Sequence, residues 1–150
     1  MKNLKFITLW ILSLGLLSIS CSNDDSDSQT DTQKPSITLI SPQDEQVFEA
    51  GEQIHVQANF TDNVGLASYK IDIHYAGDGH QHRALSDDEH QQWVFETTGS
   101  LSGKSETIHL DISIPINVEE GHYHFGVYAI DVSGNQQVIW SEIEVHNHLE

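Results

Sequence analysis

GHYHFGVYAIDVSGNQ, residues 121–136, places Tyr123, Phe125, Val127 and Ala129 at every second position, with His122, His124 and Tyr128 between them. A two-residue period sends the two sets to opposite faces of a β-strand, so the stretch reads as a strand with one apolar and one polar side. Asp131, Gly134 and Asn135 follow with turn chemistry that ends it. The two histidines project from the same face, the arrangement in which one strand offers a pair of imidazole ligands.

The same period recurs in both directions. SITLISP (36–42) is closed by Pro42; EQIHVQANFTD (52–62) turns Ile54, Val56, Ala58 and Phe60 to one side; LASYKIDIHY (66–75) turns Tyr69, Ile71, Ile73 and Tyr75 inward and Lys70, Asp72 and His74 outward. QWVFET (92–97) is a weaker strand, SETIHLDISIP (105–115) buries Ile108, Leu110, Ile112 and Ile114, and QVIWSEIEVHNH (137–148) buries Ile139, Ile143 and Val145. Seven short strands with no sustained 3.6-residue period predict an all-β sandwich or barrel.

The N-terminus has a different character. MKNLKFITLWILSLGLLSIS (1–20) has a lysine-bearing start and an apolar run leading into Cys21, the single cysteine of the chain. It reads as a signal peptide, its apolar stretch too short and too interrupted by Ser and Gly for a membrane span. SNDDSDSQTDTQKP (22–35) has no apolar side chain before Pro35 and cannot bury enough surface to order itself, so residues 21–34 read as a tether and 35–148 as one domain without a disulfide.

These features carry two resemblances. The leader resembles a bacterial lipoprotein signal, which implies a lipid on Cys21, although Ser18 stands three places before it, where that pattern wants Leu; a plain secretory signal with a leftover thiol is the other reading. The acidic residues after Cys21 resemble the export signal of surface lipoproteins in the Bacteroidota, which implies the outer membrane and display at the cell surface. TDNVGLASYKIDI together with GHYHFGVYAIDVSGNQ is similar to the immunoglobulin-like modules of bacterial surface proteins, in which D-N-x-G-[LV] opens the third strand and D-x-[SA]-G-N links the last two. The longer string more closely resembles an uncharacterised family of Bacteroidota lipoproteins with a domain of unknown function. The resemblance implies a seven-stranded immunoglobulin-like β-sandwich and supplies no activity.

Four basic residues (Lys34, Lys70, Arg83, Lys104) against 23 acidic ones leave the chain beyond residue 20 at −19. Such a field repels nucleic acid and anionic lipid headgroups and attracts cations. In an immunoglobulin-like sandwich the third, sixth and seventh strands are neighbours, so His74, His122, His124 and His146 belong near one pole, from which the segment bearing His80 and His82 departs. We therefore expect a divalent metal site from His74, His122 and His124, completed by His80 or His82 and by Asp72. Nitrogen ligands favour zinc, with copper and nickel as competitors. At the other pole Asp62, Asn63, Asp131 and Asn135 suit either calcium or the bracing of turns, and turn bracing is the plainer expectation.

No H-E-x-x-H helix, G-x-S-x-G elbow or Gly-rich phosphate loop is present, so an enzyme is not expected. The contrasting expectation is an adhesion, glycan-binding or assembly module without metal, using Trp140 and Tyr128 on the histidine face. His55 and His109, on the opposite sheet, and the single His90 and His148 read as surface residues.

Overall fold

A computed structural model of the chain describes residues 30–77 and 91–148. Among them are eight strands and no helix: β1 (Ser36–Ser41), β2 (Gln46–Glu49), β3 (Gln53–Thr61), β4 (Leu66–Tyr75), β5 (Val94–Ser100), β6 (Ser105–Ser113), β7 (Gly121–Asp131) and β8 (Gln136–His146). They form two sheets, ordered β1-β3-β6 and β2-β8-β7-β4-β5. The first, second and fifth long strands thus face the third, sixth and seventh, the arrangement of an immunoglobulin-like sandwich.

The strand count corrects the expected seven. The additional strand is β2, which pairs in parallel with β8 from Gln46↔Ile143 to Glu49↔His146. The chain leaves the three-stranded sheet after β1, passes the cis Ser41–Pro42 bond and Glu45 with its positive φ, and joins the edge of the other sheet. Four residues with only Val47 and Phe48 apolar are too few to show a period, yet Phe48 is buried in the core.

Alternation places the core as the sequence predicts. Ile54, Val56, Ala58 and Phe60 of β3 face Ile71 and Ile73 of β4, Tyr123, Phe125, Val127 and Ala129 of β7, and Ile143 and Val145 of β8, all buried. Leu110 and Ile139 pack against this core while half-buried. Burying this contiguous apolar set is the main favourable term holding the sheets together. Near one pole Tyr123 contacts Tyr75 and Trp93, with ring centroids 5.4 and 6.0 Å apart, and its hydroxyl donates to the Glu119 carbonyl at 2.5 Å. That aromatic layer lies directly beneath the outward residues His74, His122 and His124, because consecutive positions on a strand occupy opposite faces.

Candidate metal centre

The outward face of the five-stranded sheet is a continuous polar and aromatic surface. Register sets Asp72 opposite Glu96 on β5, His74 opposite His124 on β7, His122 opposite Glu144 and His124 opposite Glu142 on β8. Lys70 reaches Asp72 Oδ2 at 3.1 Å and Glu96 Oε2 at 3.4 Å, so its charge separates the two facing carboxylates, and it also lies 4.6 Å from the centre of the Tyr128 ring. Burial works against the Asp72 charge, but hydrogen bonds from His74 and Lys70 outweigh it and hold the carboxyl below its ordinary value.

His74 and His124 meet on this face. His74 Nδ1 contacts Asp72 Oδ1 at 2.7 Å, and His74 Nε2 lies 3.4 Å from His124 Nδ1. A carboxylate on one ring nitrogen fixes the imidazole and directs the other nitrogen's lone pair outward, the usual second contact of a metal-bound histidine. Two nitrogens on one tetrahedral zinc, each at 2.0–2.1 Å, stand about 3.3 Å apart. His74 and His124 thus share a hydrogen bond across the sheet, and its spacing is close to that between two ligands of a single tetrahedral ion. The rings are nearly perpendicular, and Trp140 packs edge-on against both, 5.6 Å from His74 and 6.2 Å from His124.

The remaining histidines of the pole are held separately. His122, two positions along β7, has Nδ1 2.8 Å from Glu142 Oε1. His146 Nε2 lies 2.9 Å from Glu144 Oε1, and this contact raises the His146 pKa and lowers that of Glu144. Among the described residues no third histidine or carboxylate completes a set with His74 and His124 whose ligand atoms all lie within 4.8 Å of one another. Such a set does occur at the adjoining edge, from Glu49, His146 and His148. Glu49 lies on β2, a strand too short to show a period of its own, while His148 is exposed, as expected. His80, His82 and Cys21 lie outside the described residues, as does His90. His55 and His109 are exposed on the opposite sheet, with His55 Nδ1 2.6 Å from Asp111 Oδ1.

At the far pole Asp62 and Asp131 accept the backbone amides of the turns that follow them. Asp62 Oδ1 accepts the Val64 and Gly65 amides at 2.8 and 2.6 Å. Asp131 Oδ1 accepts those of Ser133 and Asn135, both at 2.8 Å, and Asp131 Oδ2 accepts Asn135 Nδ2 at 2.7 Å. Burial pushes the Asp131 carboxyl up, but these donors outweigh it and leave its pKa lowered. Asn63 Nδ2 and Asn135 Nδ2 both contact Asp31, through its Oδ1 and its backbone carbonyl at 3.1 and 3.0 Å. Asp31 falls in the span expected to be tether, and no sequence signal marked it, because its partners come from turns 32 and 104 residues away.

A family model described as a domain of unknown function, DUF4625, matches residues 19–146. No curated protein matches the chain. Among solved structures, catalytically inactive OgpA from Akkermansia muciniphila, in complex with an O-glycopeptide substrate, is similar at 15% identity and a TM-score of 0.50, over 80% of this chain and 32% of that one. Wild-type OgpA is similar at 14% identity and a TM-score of 0.51, over 79% and 31%. The fibronectin(III)-like modules of Clostridium thermocellum CbhA align at 18% identity and a TM-score of 0.43, over 77% and 100%. The chain thus spans about a third of OgpA, and at this identity the likeness concerns the fold alone.

Proposed function

We propose, for a chain that belongs to the DUF4625 family of domains of unknown function, that the sandwich is a divalent-metal-binding accessory domain, with zinc the favoured ion. The observation that carries this reading is the 3.4 Å between His74 Nε2 and His124 Nδ1, with Asp72 seated on the other nitrogen of His74. A register-fixed pair across two hydrogen-bonded strands is preorganised, so little ordering cost is left for the ion to overcome. His80 or His82, or His122 released from Glu142, completes the set. Copper and nickel compete for the same nitrogens. The leader supports a lipid anchor on Cys21, and the acidic residues after it a place at the outer membrane facing outward; Cys21→Ser would then move the protein from the membrane to the soluble fraction.

Calorimetric zinc titration of tag-free protein, paired with elemental analysis, tests the site. About one equivalent bound at micromolar or tighter affinity, with a rise in Tm, is the expected result, since a ligand held by the native state alone stabilises it. The His74→Ala/His124→Ala double variant should lose it, and unchanged affinity there would sink the assignment. His146→Ala/His148→Ala separates this pair from the Glu49 edge.

One observation favours a second reading as a glycan or surface-protein module. Trp140 is 50% exposed and lies over Gly126 between Tyr128 and the two histidines, an aromatic platform of the kind that binding surfaces use. Binding to a glycan array that survives chelation and disappears in Trp140→Ala would favour it over metal.

A further inference from the structure

Three carboxylates converge at the pole opposite the histidines: Asp31 from the chain ahead of β1, Asp62 from the β3–β4 turn and Asp131 from the end of β7. One ligand oxygen from each lies within 4.8 Å of those from the other two. Asp62 is only 9% exposed and Asp131 only 2%. Turn bracing accounts for Asp62 Oδ1, which takes two backbone amides, but not for Asp62 Oδ2, which is buried and has no hydrogen-bond partner. Asp31 Oδ2 is buried and unpartnered in the same way.

Like charges this close disfavour one another, and a buried carboxylate oxygen without a donor is strongly unfavourable. Basic side chains do not relieve either problem. Every ion pair among the described residues lies elsewhere, and the Lys104 ammonium is engaged by the Asn63 carbonyl at 2.7 Å. A bound cation would satisfy both free oxygens and cancel the repulsion. The donors are all oxygen, which excludes a preference for zinc or copper and selects a hard ion. Carboxylates brought together from two turns and a passing segment suit calcium, which accepts variable geometry, better than magnesium, which demands a near-ideal octahedron.

We infer that Asp31, Asp62 and Asp131 form a calcium site, independent of the histidine pole, that clips the segment ahead of β1 onto the turns preceding β4 and β8. Asn135 serves the same end, with one amide group bridging Asp131 Oδ2 and the Asp31 carbonyl.

The full chain, stripped with EGTA and titrated with CaCl2, tests this by calorimetry and thermal melting. One equivalent of calcium and a Tm that rises with its concentration are expected. Asp62→Asn retains an oxygen for the Val64 and Gly65 amides but loses the charge, and should weaken calcium at least about tenfold. Asp31→Ala, outside every strand, should do the same while still melting cooperatively in EGTA. His74→Ala/His124→Ala should respond to calcium like the wild type. A wild-type Tm indifferent to millimolar calcium, or a response kept in both Asp62→Asn and Asp31→Ala, would overturn the site, and an equal response to magnesium would overturn the choice of ion.

Discussion

Gly126→Ala probes how the histidine face is assembled. A Cβ at residue 126 would stand 2.5 Å from Trp140 Cζ3, 2.8 Å from Cη2 and 2.9 Å from Cε3, closer than carbon atoms approach without displacement. β7 is central and pinned on both sides, so the half-exposed indole is the group that moves. Lifting it gives up contacts with His74, His124 and Tyr128, at centroid separations of 5.6, 6.2 and 5.7 Å. Aromatic pairs contribute about 0.5–1.5 kcal/mol each, and solvent exposure of Trp140 puts these toward the low end. Replacing Gly by Ala recovers about 0.4–1 kcal/mol through the unfolded chain. The net loss is about 0.5–1.5 kcal/mol, or a fall in Tm of roughly 2–6 °C. Urea unfolding and tryptophan emission read this together, since Trp93 is buried and stays so while Trp140 shifts to longer wavelength. A Gly126→Ala protein at least as stable as the parent, with unmoved emission, would refute the stacking.

Three other outcomes follow from single residues. Tyr123, fully buried, has its pKa pushed up to about 12, chiefly by burial, against 10.0 when unfolded. Its neutral form therefore stabilises the fold fully below pH 10, and about 3 kcal/mol is lost as pH rises through 12; denaturant melts of Tyr123→Phe should lack this alkaline decline, and an identical decline would count against it. Asp72 has a lowered pKa, so its contribution is present above 3.8 and fades as pH falls through the lower folded value; Asp72→Asn should cost stability at pH 6 and show a shallower acid limb in urea melts at pH 5 to 3. Ile71→Ala, at a fully buried position between Thr97 and Val127, should cost about 3–4 kcal/mol in the same melts.

The meeting of His74 and His124 was legible because alternation fixes each residue's face and the sandwich fixes which strands adjoin. Both operate without knowledge of side-chain contacts. Their individual partners were not legible: whether His122 would join them or turn to Glu142 depends on rotamers and carboxylate placement that no periodicity encodes. β2 escaped for a different reason, since a four-residue edge strand takes its register from β8 and not from a pattern of its own, and Glu49 escaped with it. Trp93 lies just before β5 (Val94–Ser100), not inside it as a strand over 92–97 implies, and is buried against Phe95 and Tyr123. Asp31 shows the limit most sharply. Nothing in a polar run distinguishes it from its neighbours, and only the closure of the fold brings Asp62 and Asp131 to it.

The parallel pairing of β2 with β8 has a mechanical meaning. Beyond the strand register, the Glu45 amide donates to the Glu142 carbonyl and the Ala50 amide to that of His146, each at 2.8 Å, so the patch extends past both ends of β2. Tension applied between the chain before β1 and the chain after β8 draws these two strands in opposite directions along their length. The hydrogen bonds of the patch then bear the load side by side and must break together, unlike those of an antiparallel hairpin opened from its end, which break in succession. A short strand invisible to sequence periodicity thus gives the two ends of the domain a shear geometry, in which the bonds between β2 and β8 share a pull instead of meeting it one at a time.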